Sequence, residues 1–257
     1  MGLYFADSNE RDFLFESNLS FLLYANGVMG AAALIGTLTG FGYALLATPL
    51  LVLVLPPREV VPLVLLSSIV LLVLLAIESR REMDGGKITR WALGAIPGML
   101  VGGHVLATVS DHTMKSTIGV ITLCAAAVLS LHPGRPWQRE WPGALGAGLL
   151  SGVLVGASGM SGPPVILFGL KQHWDHRVLR ASLIGYFGVI HALAVLVLGS
   201  LGVGGTEDAF QVLSILPGVF LGFILGMRWR SRVNRTLFRS IALGLLCASG
   251  LLALFRI

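Results

Sequence analysis

The sequence predicts an all-α integral membrane protein made of two inverted repeats. Three observations support this prediction. The composition is 55% hydrophobic and only 12% charged over 257 residues, apolar runs recur along the chain, and two glycine-rich breaks lie at equivalent places in its halves. Soluble globular proteins carry roughly a quarter charged residues. The composition therefore excludes a soluble domain.

Apolar runs long enough to enter a membrane follow one another from residue 19 onward. They cover about 19–38, 40–55, 60–77, 91–109, 113–131, 142–157, 159–170, 179–199, 209–227 and 237–255. A helix needs about 20 residues to cross the hydrocarbon core, so the seventh run is too short and the second is marginal. Each of these two runs follows a glycine-rich break, which is TGFGYALLATP at 39–49 and SGMSGPPVILF at 158–168.

Two matches at nearly one spacing indicate an internal repeat. Residues 39–40 align with 158–159 at an offset of 119, and IPGMLVG at 96–102 aligns with LPGVFLG at 216–222 at an offset of 120. Each repeat is predicted to hold a broken or re-entrant first segment followed by three transmembrane helices. The predicted organisation is a polar lead-in at 1–18, a first repeat at 19–131, a linker at 132–141 and a second repeat at 142–257.

The distribution of basic residues decides how the broken segments cross. If each were a single crossing, eight Lys and Arg residues would lie on one side and ten on the other. If each goes in and comes back, as a re-entrant hairpin or as two full crossings, 14 of the 18 share one side. The positive-inside rule favours the second topology. It predicts that both termini lie outside and that the repeats are inverted.

Inverted repeats with discontinuous helices are typical of secondary transporters, whose substrate binds near the midplane. Irregular backbone at membrane depth is tolerated where protein or a wet cavity satisfies it. The two breaks are therefore predicted to line a substrate-binding cavity. The candidate residues are Thr37, Thr39, Gly40, Phe41, Gly42, Tyr43, Ser158, Gly159, Met160, Ser161, Gly162 and Pro163.

The chemistry of these breaks favours a small anionic substrate. Helix N-termini present free N–H groups and a partial positive charge. No Lys, Arg, Asp or Glu lies at the centre of a span, so backbone amides and hydroxyls would hold the anion, and a carboxylate proton relay is not expected. The hydroxyls in question belong to Thr37, Thr39, Ser158 and Ser161. No cofactor, metal or nucleic acid is predicted.

Two histidines within spans, His104 and His191, are candidates for proton coupling because imidazole titrates near physiological pH. The alternative is a neutral ring bonded to a backbone carbonyl. The glycines at 98, 102, 218 and 222 are expected to serve close helix packing. Membrane lipids are expected partners of the basic cluster at 227–235 and of five tryptophans near span ends. These are Trp91, Trp137, Trp141, Trp174 and Trp229.

The paired motifs GTLTGFGYAL at 36–45 and GASGMSGPP at 156–164, with the Pro-Gly pairs at 97–98 and 217–218, resemble the sulfite exporter TauE/SafE family. The family is also called the TSUP permeases. The resemblance covers roughly residues 20–255. It implies a bacterial inner-membrane protein that moves sulfite, sulfoacetate or other organosulfonates outward. Two alternative functions stay open, which are an anion channel on the same scaffold and a non-transporting scaffold. Assembly as a homodimer also stays open. An intramembrane enzyme is not expected, because the spans contain no catalytic pair.

Overall fold

The computed structural model describes residues 19–130, 136, 139–204 and 206–230, together with five positions between 244 and 251. The predicted lead-in, most of the linker and most of the last predicted span lie outside the described residues. Every element within the described part is helical. The α-helices are α1 Leu19–Thr39, α2 Tyr43–Leu51, α3 Pro57–Ser79, α4 Gly85–Thr108, α5 Asp111–Ser130, α6 Glu140–Ser158, α7 Gly162–Lys171, α8 His176–Ser200 and α9 Thr206–Trp229, with a 3-10 turn at Arg80–Glu82.

Six of the described helices are long and apolar enough to cross a membrane, which confirms the all-helical membrane prediction. They are α1, α3, α4, α6, α8 and α9. The helices that follow the breaks are short, with 9 residues in α2 and 10 in α7. At 1.5 Å per residue each extends only about 15 Å, half of the hydrocarbon thickness.

The first broken segment is a hairpin. Tyr24 Oη, near the start of α1, donates to the carbonyl of Leu50, near the end of α2, at 2.7 Å. The short helix therefore returns along α1 instead of continuing it. In the second half, α7 packs back against α6. This arrangement agrees with broken segments that enter the membrane and return to the side from which they came. The prediction that most basic residues share one side depends on such segments.

Glycines on facing helices of the two halves allow the helix backbones to pack closely. Among the described helices, the most extensive packing is between α4 and α6 and between α9 and α1. A Cβ built on Gly98 would lie 2.2 Å from the carbonyl oxygen of Leu149, and one built on Gly222 would lie 2.1 Å from that of Gly30. Side chains at these glycines would hold the helices apart. The interpretation of glycines 98, 102, 218 and 222 as packing residues is confirmed.

The expectation that all five tryptophans are interfacial is wrong for Trp91. Its side chain is fully buried, because the rings of Trp174 and Tyr186 pack on it with centroids 5.5 Å away. Trp141 and Trp229 are exposed near helix ends, as anchoring at the interface requires. Trp137 lies outside the described residues.

Candidate anion-binding cavity

Two glycines shape the first break. Gly40 and Gly42 have φ values of 84° and 95°, a left-handed region that side chains rarely tolerate. The amide of Gly40 still donates to the Gly36 carbonyl at 2.7 Å, which completes α1. The amide of Phe41 then donates to Thr39 Oγ1 at 3.1 Å. The chain reverses within three residues, and α2 begins at Tyr43.

The second break is held by side chains from neighbouring helices. Gly159 ends α6 with a φ of 73°. Ser151 Oγ donates to the carbonyl of Ser161 at 2.5 Å, and Tyr186 Oη donates to Ser151 Oγ at 2.8 Å. Pro163 lies in the first turn of α7, where its missing amide proton costs no helix hydrogen bond. The helix therefore resumes at Gly162, directly after the break.

The two breaks, 119 positions apart in sequence, border the same cavity. Seven of the predicted site residues line it: Gly40, Phe41, Gly42, Tyr43, Met160, Ser161 and Gly162. The remaining wall comes mainly from α3 and α8, through Ser68, Leu71, Leu72, Leu75, Phe187 and His191. None of the lining residues carries a carboxylate, an ammonium or a guanidinium group.

Five predicted residues lie beside this cavity without lining it. The hydroxyls of Thr37, Thr39 and Ser158 donate to the carbonyls four residues earlier, at 2.7 to 2.8 Å. Helical Ser and Thr commonly make this bond. Gly159 and Pro163 shape the turn but do not reach the space. Of the four hydroxyls expected to hold the anion, Ser161 alone lines the cavity.

His191 forms a polar bridge between α3 and the second break. Its Nδ1 lies 2.6 Å from Ser68 Oγ and its Nε2 lies 2.9 Å from Ser161 Oγ. Ser68 donates its own proton to the Leu65 carbonyl at 2.7 Å, so it accepts from Nδ1–H. In the neutral ring Nε2 is then an acceptor, and the Ser161 hydroxyl donates to it.

His104 does not take part in this arrangement. It is exposed on α4, and it is not among the residues that line the cavity. The two histidines that the sequence placed together as candidates therefore occupy different environments. Only His191 contacts a residue of either break in the described part of the chain.

Sequence reasoning missed two polar contributors to this region. Ser68 lies in the run at 60–77, where the pair Ser67–Ser68 interrupts an otherwise apolar stretch and could have signalled it. Arg180 is one of the 14 basic residues assigned to one side, and its side chain is buried beside the first break. Its position inside the apolar run at 179–199 was the available signal.

The cavity offers hydrogen-bond donors and no fixed charge in its lining. The first amides of a helix have no intrahelical partner, and those of Tyr43, Ala44 and Leu45 belong to the first turn of α2, whose residues line the cavity. The N-terminal end of α2 adds a partial positive charge. No group of three His, Cys, Asp or Glu residues suited to a metal occurs in the described part of the chain. The arrangement suits a small anion.

The model of the sulfite exporter TauE/SafE family matches residues 26–253. This chain belongs to that family. It is therefore a multi-pass membrane protein of an exporter family. A relative from Cupriavidus necator, described as a probable sulfite/organosulfonate exporter TauE, is 26% identical over 239 residues, which cover 89% of this chain and 92% of the relative. No solved structure matches the TauE/SafE chain described here.

Proposed function

We propose that this chain is a secondary transporter that exports a small sulfur-containing anion, such as sulfite, sulfoacetate or a related organosulfonate, across the bacterial cytoplasmic membrane. The observation that carries the proposal is the meeting of two glycine-rich breaks at one cavity with donors and no charged lining residue. Membership of an exporter family and the name of the Cupriavidus necator relative support the substrate class.

Transport would proceed by alternating access between two inverted repeats, with both termini outside. The cross-packing of α4 with α6 and of α9 with α1 supports a two-fold relation between the halves. Corresponding contacts at the breaks support it too. Gly40 faces Arg180, and Gly159 faces Val61. The two glycines are 119 positions apart, and Val61 and Arg180 are separated by the same offset.

His191 would couple anion binding to a proton. A proton added at Nε2 turns this nitrogen from an acceptor into a donor. The Ser161 hydroxyl then accepts from the ring, and its own proton is free to turn into the cavity. An oxyanion there would gain a hydrogen bond. Protonation and anion binding would therefore favour each other.

The test is flux in proteoliposomes of labelled sulfite, sulfoacetate, taurine, sulfate and chloride, with and without an imposed pH gradient and membrane potential. Saturable, gradient-dependent flux of sulfite or a sulfonate is expected. Rapid, unselective chloride flux would indicate a channel on the same scaffold. The absence of flux for every anion would contradict the transporter proposal and favour a non-transporting scaffold.

Two serines of the second break provide a matched pair for the site. Ser161→Ala should raise KM by roughly 10- to 150-fold, because a hydrogen bond to a charged group is worth roughly 1.5–3 kcal/mol. Ser158→Ala should leave KM unchanged, since its hydroxyl donates to the Leu154 carbonyl and does not line the cavity. Equal effects of the two substitutions would contradict a site at Ser161.

A further inference from the structure

Arg180 is a buried cation beside the first break. Only 7% of its side chain is exposed, although it lies five residues into α8. A guanidinium group carries five N–H donors and no acceptor. Removing such a group from water is costly unless it is paired. Its partners therefore determine what the group does.

Those partners leave the cation incompletely satisfied. Nη2 donates to the carbonyl of Thr37 at 3.0 Å and lies 3.7 Å from a carboxylate oxygen of Glu78. Nε is buried and has no hydrogen-bond partner in the described part of the chain. Glu78 is also paired with Arg230. The Glu78 carboxylate is therefore shared between two guanidinium groups, and its contact with Arg180 is the longer of the two. The charge of Glu82 also acts on Arg180.

Gly40 lies between this charge and the cavity. Gly40 lines the cavity, and a Cβ built on it would lie 2.6 Å from Arg180 Cγ and 3.3 Å from Arg180 Nε. Glycine places no side chain between the guanidinium group and the break. The unpaired Nε is therefore adjacent to the backbone that forms the site.

The second break has the same geometry without the charge. A Cβ on Gly159 would meet Val61 at 3.6 Å, and Val61 precedes Arg180 by 119 positions. A valine therefore suffices where only packing against the glycine is required. The arginine occupies one of two equivalent positions, which indicates a role other than packing.

We infer that Arg180 is a specificity-determining residue of the transport site: its guanidinium group attracts the oxyanion group of a sulfite or sulfonate to the first break, and Glu78 competes for it as an internal counter-ion. This inference rests on the proposed function for the identity of the substrate. A positive charge beside the cavity attracts an anion more than a cation, and a lysine at the same position would supply the same charge. The second cation, Arg230, competes with Arg180 for the Glu78 carboxylate.

The experiment uses reagents whose chemistry resembles the substrate and needs no transport. Phe41 is half-buried and lines the cavity, so Phe41→Cys is the probe, in full-length protein without its two native cysteines. A sulfonate-bearing methanethiosulfonate and its trimethylammonium analogue are reacted with it in membrane vesicles. Arg180→Gln should lower the anionic-to-cationic rate ratio about tenfold, because one nearby charge is removed.

Three further variants separate charge from shape. Arg180→Lys should retain the ratio, and Glu78→Gln should raise it. Arg90→Gln is the matched control, because Arg90 is ion-paired with Glu140 at 3.1 Å and does not line the cavity. It should leave the ratio unchanged.

Equal ratios in Arg180→Gln and in the parent Phe41→Cys protein would overturn the inference. Failure of both reagents to react with Phe41→Cys would overturn it too. Because flux is not measured, these results are distinguishable from failure of the transporter proposal.

Discussion

His191 Nε2 and Ser161 Oγ lie 2.9 Å apart, and this hydrogen bond joins a titratable ring to the second break. The other ring nitrogen is held by Ser68 at 2.6 Å, so the imidazole cannot turn without breaking both bonds. Tyr43 is the other titratable residue in the lining, and its hydroxyl donates to Ser67 Oγ at 2.8 Å. His191 is therefore the lining residue whose protonation would change a hydrogen bond of the second break.

His191→Gln should abolish the stimulation of flux by a pH gradient and leave flux driven by membrane potential measurable. Anion affinity in the wild type should rise as pH falls through the titration of His191, because the Ser161 proton then becomes free. The measurement is initial flux in proteoliposomes at several pH values. His104→Gln is the control and should behave as wild type, since His104 does not line the cavity. A gradient response preserved in His191→Gln would exclude this role.

Gly98→Ala should destabilise the protein by about 1–3 kcal/mol, the usual cost of overpacking. The new Cβ would lie 2.2 Å from the backbone oxygen of Leu149, which cannot move without separating α4 from α6. Gly146→Ala is the matched control on α6, because no atom lies within 4 Å of its Cβ position. Thermal unfolding in detergent should distinguish the two. Similar melting temperatures would argue against the close helix contact.

Gly40→Ala should impair transport more than Gly159→Ala. Both residues have positive φ, so both alanines incur backbone strain of about 1 kcal/mol. At Gly40 the added carbon would also lie 2.6 Å from Arg180 Cγ, whereas at Gly159 the nearest atom would be 3.6 Å away. KM and kcat measured for the two variants give the comparison. A larger loss of transport in Gly159→Ala than in Gly40→Ala would contradict this prediction. It would show that Arg180 can move away from the added carbon without loss of transport.

Asp84 should make α4 sensitive to acid. The side chain of Lys87 is the largest cause that holds the pKa of Asp84 below its usual range. The carboxylate also caps α4 by accepting from the Lys87 amide at 3.1 Å. Its contribution is fully present above the ordinary aspartate pKa of about 4 and is lost as pH falls through the lower folded value.

Asp84→Ala should therefore cost about 1 kcal/mol at pH 7, the typical value of a cap. The difference in stability between this variant and the wild type should become smaller below pH 4. Melting curves of both proteins across this range provide the measurement. If the difference in stability between wild type and Asp84→Ala is the same at every pH, the lost stability comes from packing and not from the carboxylate charge.

Cysteines at the two ends of α4 test the orientation. Gly86 and Ser110 are exposed and flank the helix core, so Gly86→Cys should react with impermeant reagent only from the cytoplasm and Ser110→Cys only from outside. Both variants are made in a background without native cysteines. Reaction of Gly86→Cys from outside and of Ser110→Cys from the cytoplasm would refute the topology predicted from the basic residues.

The sequence allowed the helices and breaks to be predicted because apolar length and glycine clusters are local signals. The run at 159–170 corresponds closely to α7, Gly162–Lys171. The walls supplied by α3 and α8 could not be predicted in the same way, because they depend on which helices meet. Ser68 and His191 are 123 positions apart, and no local pattern connects them. The burial of Arg180 likewise depends on a glycine 140 positions earlier.

The exchange of glycine-packed helices between the halves has a consequence for biosynthesis. α9 begins 167 residues after α1 ends. At about 5–20 residues per second, a ribosome needs roughly 10–30 s to synthesise that interval. During this time the nascent first half remains in the bilayer with the backbone of Gly30 facing lipid or insertion machinery. Chains truncated before α9 would keep that surface of α1 uncovered.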